Sequence, residues 1–585
     1  MLLSKSHKKP LIIISIVLAS IIVIILIIQI ILGNIIENKI EDAISKKENS
    51  QYIIDIGNVK VNLFTMTLIL KDVNITPDSV TVQQLKQKQS KQGFALNLKI
   101  PNLRIRNIGV FSLISSKQLN IKKFIIKHAE IEILTSKHKK ASKPKEKSNH
   151  KFDVDSIVIP GLNGVDIDEF IFSNFMVNVI DVSNNDTIFF AKNLDISLDN
   201  ITLTKNEFDS TSFRLKISDA DVNMSAEQFR LPGDKYLLTF EQMSFNMKHA
   251  LLVFKNLKVK PRYSMDRMVK MSKYQYEIFN CEIKNTEIHS LYPSNIISGS
   301  GIILSNIVVD GMNLSIYKDK HYPFDTIKRP KLPVQSLKLL KQNLYIDSIN
   351  IKNSELTYSE LHKKMDVPMV VNLNNLNATV SNITSIVDSI AKRSVMTIKM
   401  LADLQKSIPM GVNIYMPLNS VVDTFSFNGW MGNGDMKLFN QILLPAIGLK
   451  FNAGYIDGLQ FNANANTTYS IGEMTMLYHD LDGVVVRKDP EQTNKFLSWV
   501  ANTAMIKNNP TPNKEKRTEP MYFNRVMYKG LGNFIWKTLQ SGITATLIPT
   551  MDNKVQKDIY TAKGLDKREI KKKERQEKRK KRRSK

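Results

Sequence analysis

The chain has 585 residues, of which 43% are hydrophobic, so it is long enough for two or more domains or for one elongated body. Its formal net charge is +27, from 82 basic and 55 acidic residues. This excess is compatible with nucleic acid, an anionic membrane or an acidic ligand as a partner. The single cysteine, Cys281, excludes an intramolecular disulfide and a cysteine-rich metal site.

Residues 1–10 are basic, and an apolar run follows that begins at Leu11 and ends at Leu32. A helix of this length, at about 1.5 Å per residue, spans a hydrocarbon core of roughly 30 Å. The run is longer than that of a cleavable signal peptide, and no small-residue cleavage site follows it. We therefore expect an uncleaved transmembrane signal-anchor over residues 11–32. Lys5, Lys8 and Lys9 favour a cytoplasmic N-terminal tail.

One short apolar phrase recurs in the β-rich region that we expect over residues 33–424. It reads I/L-x-x-Φ-x-Φ, a polar break, then Φ-x-Φ, where Φ is apolar, and copies begin at residues 56, 100, 121, 167, 278, 304 and 346. Alternation with a period of two is typical of a strand with one apolar face, whereas the irregular spacing is not that of a solenoid. The breaks contain residue types that tolerate a left-handed or turn conformation, so we predict that each copy is a β-hairpin. These break residues are Asn107, Asn174, Asn285, Gly311 and Asn353.

Such strands allow two arrangements. In one, two or three β-sandwiches each bury their apolar faces, and alternation alone favours this arrangement. In the other, one long sheet curls into a groove that is too apolar to stay empty in water, and an acyl chain would fill it. The residues expected to line that groove are Val59, Val61, Phe170, Phe172, Ile349 and Ile351.

Helical spacing returns near the C-terminus, over residues 524–543. The apolar stripe of this helix can pack on the last strands, or it can lie in a lipid headgroup layer as an interfacial helix. Residues 546–585 form a polybasic tail, which we expect to be disordered and attracted to an anionic membrane surface. The stripe consists of Met527, Leu531, Phe534, Ile535 and Leu539, with Trp536 at its edge.

Motifs of enzyme chemistry are absent from the sequence. The nine histidines form no zinc-binding spacing, and His479, beside Asp480 and Asp482, is better explained by a strand-end turn than by a metal. The glycines of "GWMGNGD" have no nucleotide-binding spacing, and no G-x-S-x-G occurs. We therefore predict no catalytic residues, no metal and no cofactor.

A family resemblance adds to this interpretation. The region 425–545 contains "GEMTMLYHDLDGVVVRKD" and "FNRVMYKGLGNFIWKTLQSGI", and the body opens with "IDIGNVKVNLFTMTLILKDVNI". These segments resemble the C-terminal and opening regions of AsmA-like proteins. The resemblance implies a mainly β protein in which a transmembrane helix precedes a long, curled antiparallel sheet, with helices near the C-terminus. It also implies an inner-membrane protein that faces the periplasm and acts in phospholipid traffic and outer-membrane upkeep.

Two classes of function follow. The first is an anchored groove that holds or conducts membrane phospholipid. The alternative is an envelope scaffold or outer-membrane protein assembly factor with closed cores, which works through protein partners; an enzyme and a nucleic-acid partner are disfavoured. Co-purified lipid distinguishes the first two, because only the groove should carry it.

The anchor predicts the membrane topology of the chain. A phosphatase reporter that is active only outside the cytoplasm, fused after Lys563, should be active in cells, because the charge rule keeps the basic N-terminal tail inside. A reporter that is active only in the cytoplasm should be silent at the same position. The reverse pair of results would contradict the predicted topology.

Overall fold

A computed structural model describes residues 52–87, 94–136, 162–205, 213–297, 300–363, 365–420, 422–485, 505–512, 515–548 and 551–562, with residues 569, 572, 575 and 576 of the tail. This part of the chain is mainly β, as predicted, with 59% strand and 17% helix. The predicted span from Leu11 to Leu32 lies outside the described residues. Within the described residues, no helix combines the length and the apolar character needed to cross a membrane.

The chain divides into two compact units, Met1–Lys255 and Asn256–Lys585. The predicted boundary between residues 424 and 425 falls inside the second unit, where a strand on either side of it pairs antiparallel with the other. The helices of the first unit are α1 (Ser79–Lys86) and α2 (Val110–Ser116). Its strands are β1 (Tyr52–Asn62), β2 (Thr67–Pro77), β3 (Phe94–Ile108), β4 (Gln118–Lys127), β5 (Glu130–Thr135), β6 (Gly164–Asp181), β7 (Asp186–Lys205), β8 (Phe213–Lys216), β9 (Asp219–Arg230) and β10 (Tyr236–Asn246), and β11 (Leu251–Pro261) contains the boundary.

The second unit continues the strand numbering and holds most of the helices. Its strands are β12 (Glu277–His289), β13 (Ile302–Asp319), β14 (Leu344–Leu361), β15 (Met369–Thr384), β16 (Val395–Leu404), β17 (Ile408–Pro417), β18 (Phe425–Met431), β19 (Gly434–Asp435), β20 (Leu449–Ala465), β21 (Tyr469–Val485) and β22 (Glu519–Asn524). Its helices are α3 (Met265–Lys270), α4 (Pro293–Ile297), α5 (Pro333–Lys338), α6 (Val387–Lys392), α7 (Asn440–Ile447), α8 (Leu531–Leu547) and α9 (Met551–Ala562), and a 3-10 turn covers Met436–Phe439.

Strand pairing is mixed, so the prediction of an antiparallel sheet is wrong in this respect. Most neighbours are antiparallel, including β1 with β2, β6 with β7, and β14 with β15. However, β4 and β5 both run parallel to β6, and β13 runs parallel to β14. A parallel pair needs a long connection, and residues 320–343 between β13 and β14 provide one that includes the short helix α5.

The hairpin prediction for the repeated phrase is correct only for the copy at residue 56, which contains the turn between β1 and β2. The copies at 167, 304 and 346 each lie within one continuous strand, the copy at 278 lies within β12 except for its last residue, and the copy at 100 runs from β3 into α2. The copy at 121 spans β4 and β5, which both pair with β3 on one side and β6 on the other. In the copies at 121, 167, 278, 304 and 346, the break therefore does not reverse the chain.

At Asn174 and Asn353 the break is a β-bulge, because the register with the neighbouring strand shifts there. Asn174 has a φ of 55°, and on either side of it Phe172 and Phe175 are both buried, with ring centroids 4.1 Å apart. Two residues three apart, such as Phe172 and Phe175, would point to opposite faces of a regular strand. One extra residue in the left-handed conformation between them places both side chains on the same face. Gly311 and Asn353 also have positive φ, of 67° and 49°. The predicted left-handed conformation is therefore confirmed at these breaks, as it is at Asn107, whereas Asn285 is not among the positive-φ residues.

The first unit buries its apolar face almost completely. Paired residues form rows across the strands, and one row runs from Leu103 through Ile126 and Phe172 to Ile196, each at most 1% exposed. Phe170 lies beside this row, and its ring centroid is 4.5 Å from that of Phe172. Aromatic side chains thus fill the space over this face, each with a large buried area.

The second unit has its main core at its C-terminal end. Buried side chains of β18, β20 and β21 pack with α8, as the T-shaped pair of Phe425 and Phe534 illustrates. The helix predicted over residues 524–543 in fact begins at Leu531 and ends at Leu547. A helix also covers Met551–Ala562, where a disordered tail was predicted, because Val555, Ile559 and Tyr560 find a buried site near β22.

The bulge at Asn353 predicts a specific pattern of stability. Replacing Asn353 with Val should lower the free energy of unfolding by about 1–2 kcal/mol, because a β-branched residue is strained at positive φ. Asn353→Gly is the control and should stay within about 0.5 kcal/mol of the wild type, because glycine accepts this conformation. Urea titration followed by tryptophan fluorescence reports on the second unit, since all three tryptophans follow residue 256. Equal losses for Val and Gly would contradict the bulge.

Candidate functional site

An apolar face extends across β13–β16 of the second unit. Ile349 pairs with Ile307 on one side and Val380 on the other, and Val380 pairs with Ile398. A second row, two residues along, contains Val309, Ile351, Ala378 and Met400. Beyond the bulges, a third row contains Leu314, Leu356, Leu373 and Leu404, and a fourth contains Ile316, Tyr358 and Val371.

This apolar face is only half-buried. No side chain in its four rows is fully buried, and none belongs to the C-terminal core cluster, although Ile398 packs against that cluster. From Ile307 to Ile316 the face is roughly 30 Å long, at about 3.3 Å per residue. It is therefore a contiguous apolar surface of a kind that a soluble domain normally covers.

The opposite face of the same strands is polar. Asn350, next to Ile349 in sequence, donates from Nδ2 to Asn306 Oδ1 at 2.8 Å and accepts from Thr379 Oγ1 at 3.0 Å. Ser348 Oγ donates to the same Asn306 oxygen at 3.1 Å. These hydrogen bonds link β13, β14 and β15 on the polar side. The two faces of these strands therefore differ sharply in chemistry: one carries hydrogen-bonded polar side chains, and the other carries rows of apolar side chains.

The predicted groove residues divide between the two units. Ile349 and Ile351 lie in adjacent rows of the half-buried face. In the first unit, Phe170 and Phe172 are 0% and 1% exposed, so they belong to a filled interior and are not on an open surface. Val59 pairs with Leu70, and Val61 pairs with Leu68, at the start of rows in the first unit. Val61 itself is 60% exposed, so those rows become accessible towards the edge strand β1.

Charged residues replace apolar ones where β13 and β14 end. Lys318 lies opposite Glu360 in the parallel pair and opposite Glu277 in the antiparallel pair, two residues beyond the fourth apolar row. Its Nζ is 2.7 Å from Glu277 Oε1. Glu360 is 9% exposed and forms an ion pair with Lys320, and its Oε1 is 3.1 Å from His362 Nε2. The face thus changes from apolar to charged within one strand.

Glu360 is ionised in this setting. Burial by itself raises the pKa of Glu360, but the hydrogen bond with His362 and the positive charge of Lys320 outweigh that cost and lower the pKa to about 2. The hydroxyl of Tyr358 also donates to Glu360 Oε2 at 2.9 Å. Burial and the neighbouring carboxylate raise the pKa of Tyr358, so this phenol stays protonated. The charged end of the strand is therefore held in place by several hydrogen bonds.

Two lysines from the C-terminal segment join this end. Lys529 Nζ lies 4.3 Å from the ring centroid of Phe324, and Lys318 Nζ lies 5.6 Å from the same ring. Lys537, on α8, donates to Gln540 Oε1 at 2.7 Å. Burial, followed by repulsion from Lys320, lowers the pKa of both Lys529 and Lys537. We call Lys318, Lys320, Lys529 and Lys537 the lysine cluster.

The helical stripe predicted near the C-terminus is used for packing. Phe534 is 2% exposed, and Leu531, Ile535 and Leu539 pack against the core cluster, so the packing interpretation is the one that the structure supports. Met527 precedes α8 and is 43% exposed, while Trp536 is 46% exposed. An interfacial helix would need this apolar stripe exposed to the lipid, but most of the stripe is packed against the core cluster.

Neither of the sequence features considered for ligand chemistry forms a site. His479 is exposed, and its Nδ1 lies 3.0 Å from Asp457 Oδ2; that hydrogen bond raises the pKa of the imidazole. Within the described residues, no group of three or more His, Cys, Asp or Glu is placed to hold a metal ion. Gly429 serves close packing, since a Cβ there would lie 2.5 Å from the Gly411 carbonyl oxygen.

Sequence reasoning missed the lysine cluster. Apolar and charged residues alternate at the ends of two strands, and this pattern could have indicated a charged end on the apolar side. The residues are Ile316, Lys318 and Lys320 at the end of β13 and just after it, and Tyr358, Glu360 and His362 at the end of β14 and just after it. The position of Lys529 and Lys537 next to these residues could not be predicted, because Lys529 follows Glu360 by about 170 residues in sequence. Only the packing of α8 brings them there.

In the comparisons with known proteins, no protein-family model matches the chain and no curated protein matches it.

The pKa of Glu360 predicts a pH-dependent stability. Because its folded pKa of about 2 is below the ordinary glutamate pKa of 4.5, its contribution is present above pH 4.5 and is lost as the pH falls towards 2. Glu360→Gln should lower the free energy of unfolding at pH 7 by on the order of 3 kcal/mol. The difference from wild type, measured by urea titration, should shrink between pH 5 and pH 2.

Glu355→Gln is the matched control, since Glu355 is exposed on the same strand. The Glu355→Gln change should alter the free energy of unfolding by less than about 0.5 kcal/mol at pH 7 and at pH 2. A loss at Glu360 that is the same at pH 7 and pH 2 would contradict an ionised, ion-paired Glu360.

Proposed function

We propose that this protein holds phospholipid on the apolar face of β13–β16, as a membrane-anchored carrier or conduit. The observation that carries the proposal is the half-buried state of four consecutive apolar rows on strands whose other face is polar and hydrogen-bonded. Contiguous apolar surface of this kind is normally covered by a ligand, a membrane or a partner. An acyl chain matches it better than a compact ligand does, because the rows continue along the strands.

The dimensions and energetics favour acyl chains. The face extends for roughly 30 Å along the strands, and one leaflet of acyl chains occupies roughly half of a 30 Å hydrocarbon core. Each methylene group removed from water stabilises a complex by about 0.8 kcal/mol. The side chains offered by the rows are mainly Ile, Val and Leu, which provide contact area without hydrogen-bonding groups. A chain that must slide along the face meets no strong polar contact in these rows before Tyr358.

The cellular setting proposed here rests on the sequence. The apolar run from Leu11 to Leu32 supports an inner-membrane anchor, with the bulk of the chain in the periplasm. The resemblance to AsmA-like proteins supports a role in phospholipid traffic and outer-membrane homeostasis. A scaffold that acts through protein partners is the alternative, and it would keep the same face covered by protein.

Lipid content tests the proposal. The full-length protein, purified in detergent, should carry phospholipid that mass spectrometry detects after extraction. Ile349→Asp should reduce that content at least about fivefold, because a carboxylate on the face loses its hydration when an acyl chain covers it. The matched control is Asn350→Asp, which introduces the same charge one residue along on the polar face and should retain wild-type lipid content.

A folding measurement accompanies both variants, since a closed core would unfold with a charge at Ile349. Phe172→Glu gives the reference for that outcome, because Phe172 is 1% exposed and its replacement should unfold the first unit. Folded Ile349→Asp protein that retains full lipid content would contradict the proposal. Wild-type protein without lipid, but with a co-purified protein bound, would favour the scaffold.

A further inference from the structure

The lysine cluster carries more positive charge than its neighbourhood neutralises. Lys318 pairs with Glu277, and Lys320 pairs with Glu360. For Lys529 and Lys537, no carboxylate lies within ion-pairing distance among the residues that the structure describes. Their partners are the ring of Phe324 and the amide oxygen of Gln540, both of which are neutral. Glu360 attracts both lysines at longer range but is already paired with Lys320, so the two ion-paired carboxylates, Glu277 and Glu360, do not neutralise the four ammonium groups of the cluster.

The positive charges of Lys529 and Lys537 are energetically unfavourable at these positions. Lys529 and Lys537 are only partly exposed. Burial lowers the pKa of each lysine, and repulsion from neighbouring lysines of the cluster lowers it further; attraction by Glu360 raises the pKa but does not offset these two effects. Solvated surface lysines normally spread apart to avoid such repulsion. A bound anion would relieve both effects, since it would supply the missing charge and accept hydrogen bonds from several ammonium groups.

The cluster also occupies a particular place on the proposed lipid-binding surface. Ile316 and Tyr358 form the last apolar row, and Lys318 and Lys320 follow on the same side of β13 at the period of a strand. A molecule whose acyl chains lie on the apolar rows would therefore present its polar end to the cluster. A phospholipid combines these two parts in that order.

We propose that the lysine cluster binds the phosphate of a phospholipid head group whose acyl chains lie on the apolar face of β13–β16. This inference rests on the proposed function and adds the chemistry of the head group to it. Lys529 and Lys537 supply the positive charge that Glu277 and Glu360 do not neutralise, while Glu360 also holds Lys320 in position. The cluster would make the surface select anionic or zwitterionic phospholipid over a neutral lipid with the same chains.

The test compares three probes on the full-length protein in detergent. The first is a fluorescent phosphatidylglycerol, the second is a diacylglycerol with the same labelled chains, and the third is inorganic phosphate. The wild type should bind the phospholipid at least about tenfold more tightly than the diacylglycerol. The double variant Lys529→Gln/Lys537→Gln should lose this preference and keep its affinity for the diacylglycerol. Inorganic phosphate at millimolar concentration should not displace the phospholipid.

Two further double variants control for charge and folding. Lys352→Gln/Lys399→Gln removes two exposed lysines from the polar side of β14 and β16 and should leave the preference unchanged. Lys529→Arg/Lys537→Arg keeps the positive charge and should retain most of the preference for phospholipid over diacylglycerol. The thermal midpoint of the Lys529→Gln/Lys537→Gln variant should not fall, because removing two repelling charges relieves the cluster.

The outcomes separate the two proposals. Equal binding of phospholipid and diacylglycerol by the wild type would overturn the head-group site and leave the lipid-binding function standing. Binding of neither lipid would overturn the proposed function itself. Lysine-dependent binding of inorganic phosphate, with lipid binding unaffected by the variants, would assign the cluster to a free anion and overturn the head-group inference.

Discussion

The structure depends on keeping apolar side chains on one face of strands that are up to 20 residues long. A regular strand alternates strictly, so an apolar pattern interrupted by an odd spacing would change faces. A left-handed residue at the interruption corrects this, as Asn174 does between Phe172 and Phe175 and as Asn353 does between Ile351 and Leu356. Without these bulges, neither the filled interior of the first unit nor the apolar face of the second would be continuous.

The same phrase has two different outcomes, and the side chains of the rows differ between them. In the first unit the rows contain Phe124, Phe170, Phe172 and Phe175, whose rings contact one another and fill the space above the strands. In β13–β16 the corresponding positions are mostly Ile, Val and Leu, and their side chains are half-buried. One face therefore becomes a packed interior, while the other remains half-buried. At the C-terminal end of the second unit, α8 supplies the missing layer by inserting Phe534 against Phe425.

Charge is coupled to the apolar face through the strand period. Since Lys318 and Lys320 follow Ile316 at intervals of two, the alternation that directs apolar side chains to one side also directs the ammonium groups there. Glu360 is retained in this partly buried position because Lys320, His362 and Tyr358 satisfy its oxygens. This arrangement gives the surface an apolar end and a cationic end, which is the polarity of a phospholipid. The packing of α8 adds Lys537 to the cationic end and so increases the difference in charge between the two ends.

The sequence by itself determined the β-rich class, the one-sided strands, the left-handed conformation at most of the breaks and the helices near the C-terminus. These are local properties, set by a period of two or 3.6 residues and by the tolerance of Asn and Gly for positive φ. It did not determine that Asn353 makes a bulge and that Gly311 lies within a continuous strand, so that neither makes a turn, because that depends on which strand lies alongside. Nor could it decide that Phe172 is sealed while Ile349 stays half-buried, or that Lys529 and Lys537 join Lys320 beside Glu360. Those outcomes depend on contacts between residues far apart in the chain, and only the tertiary structure brings them together.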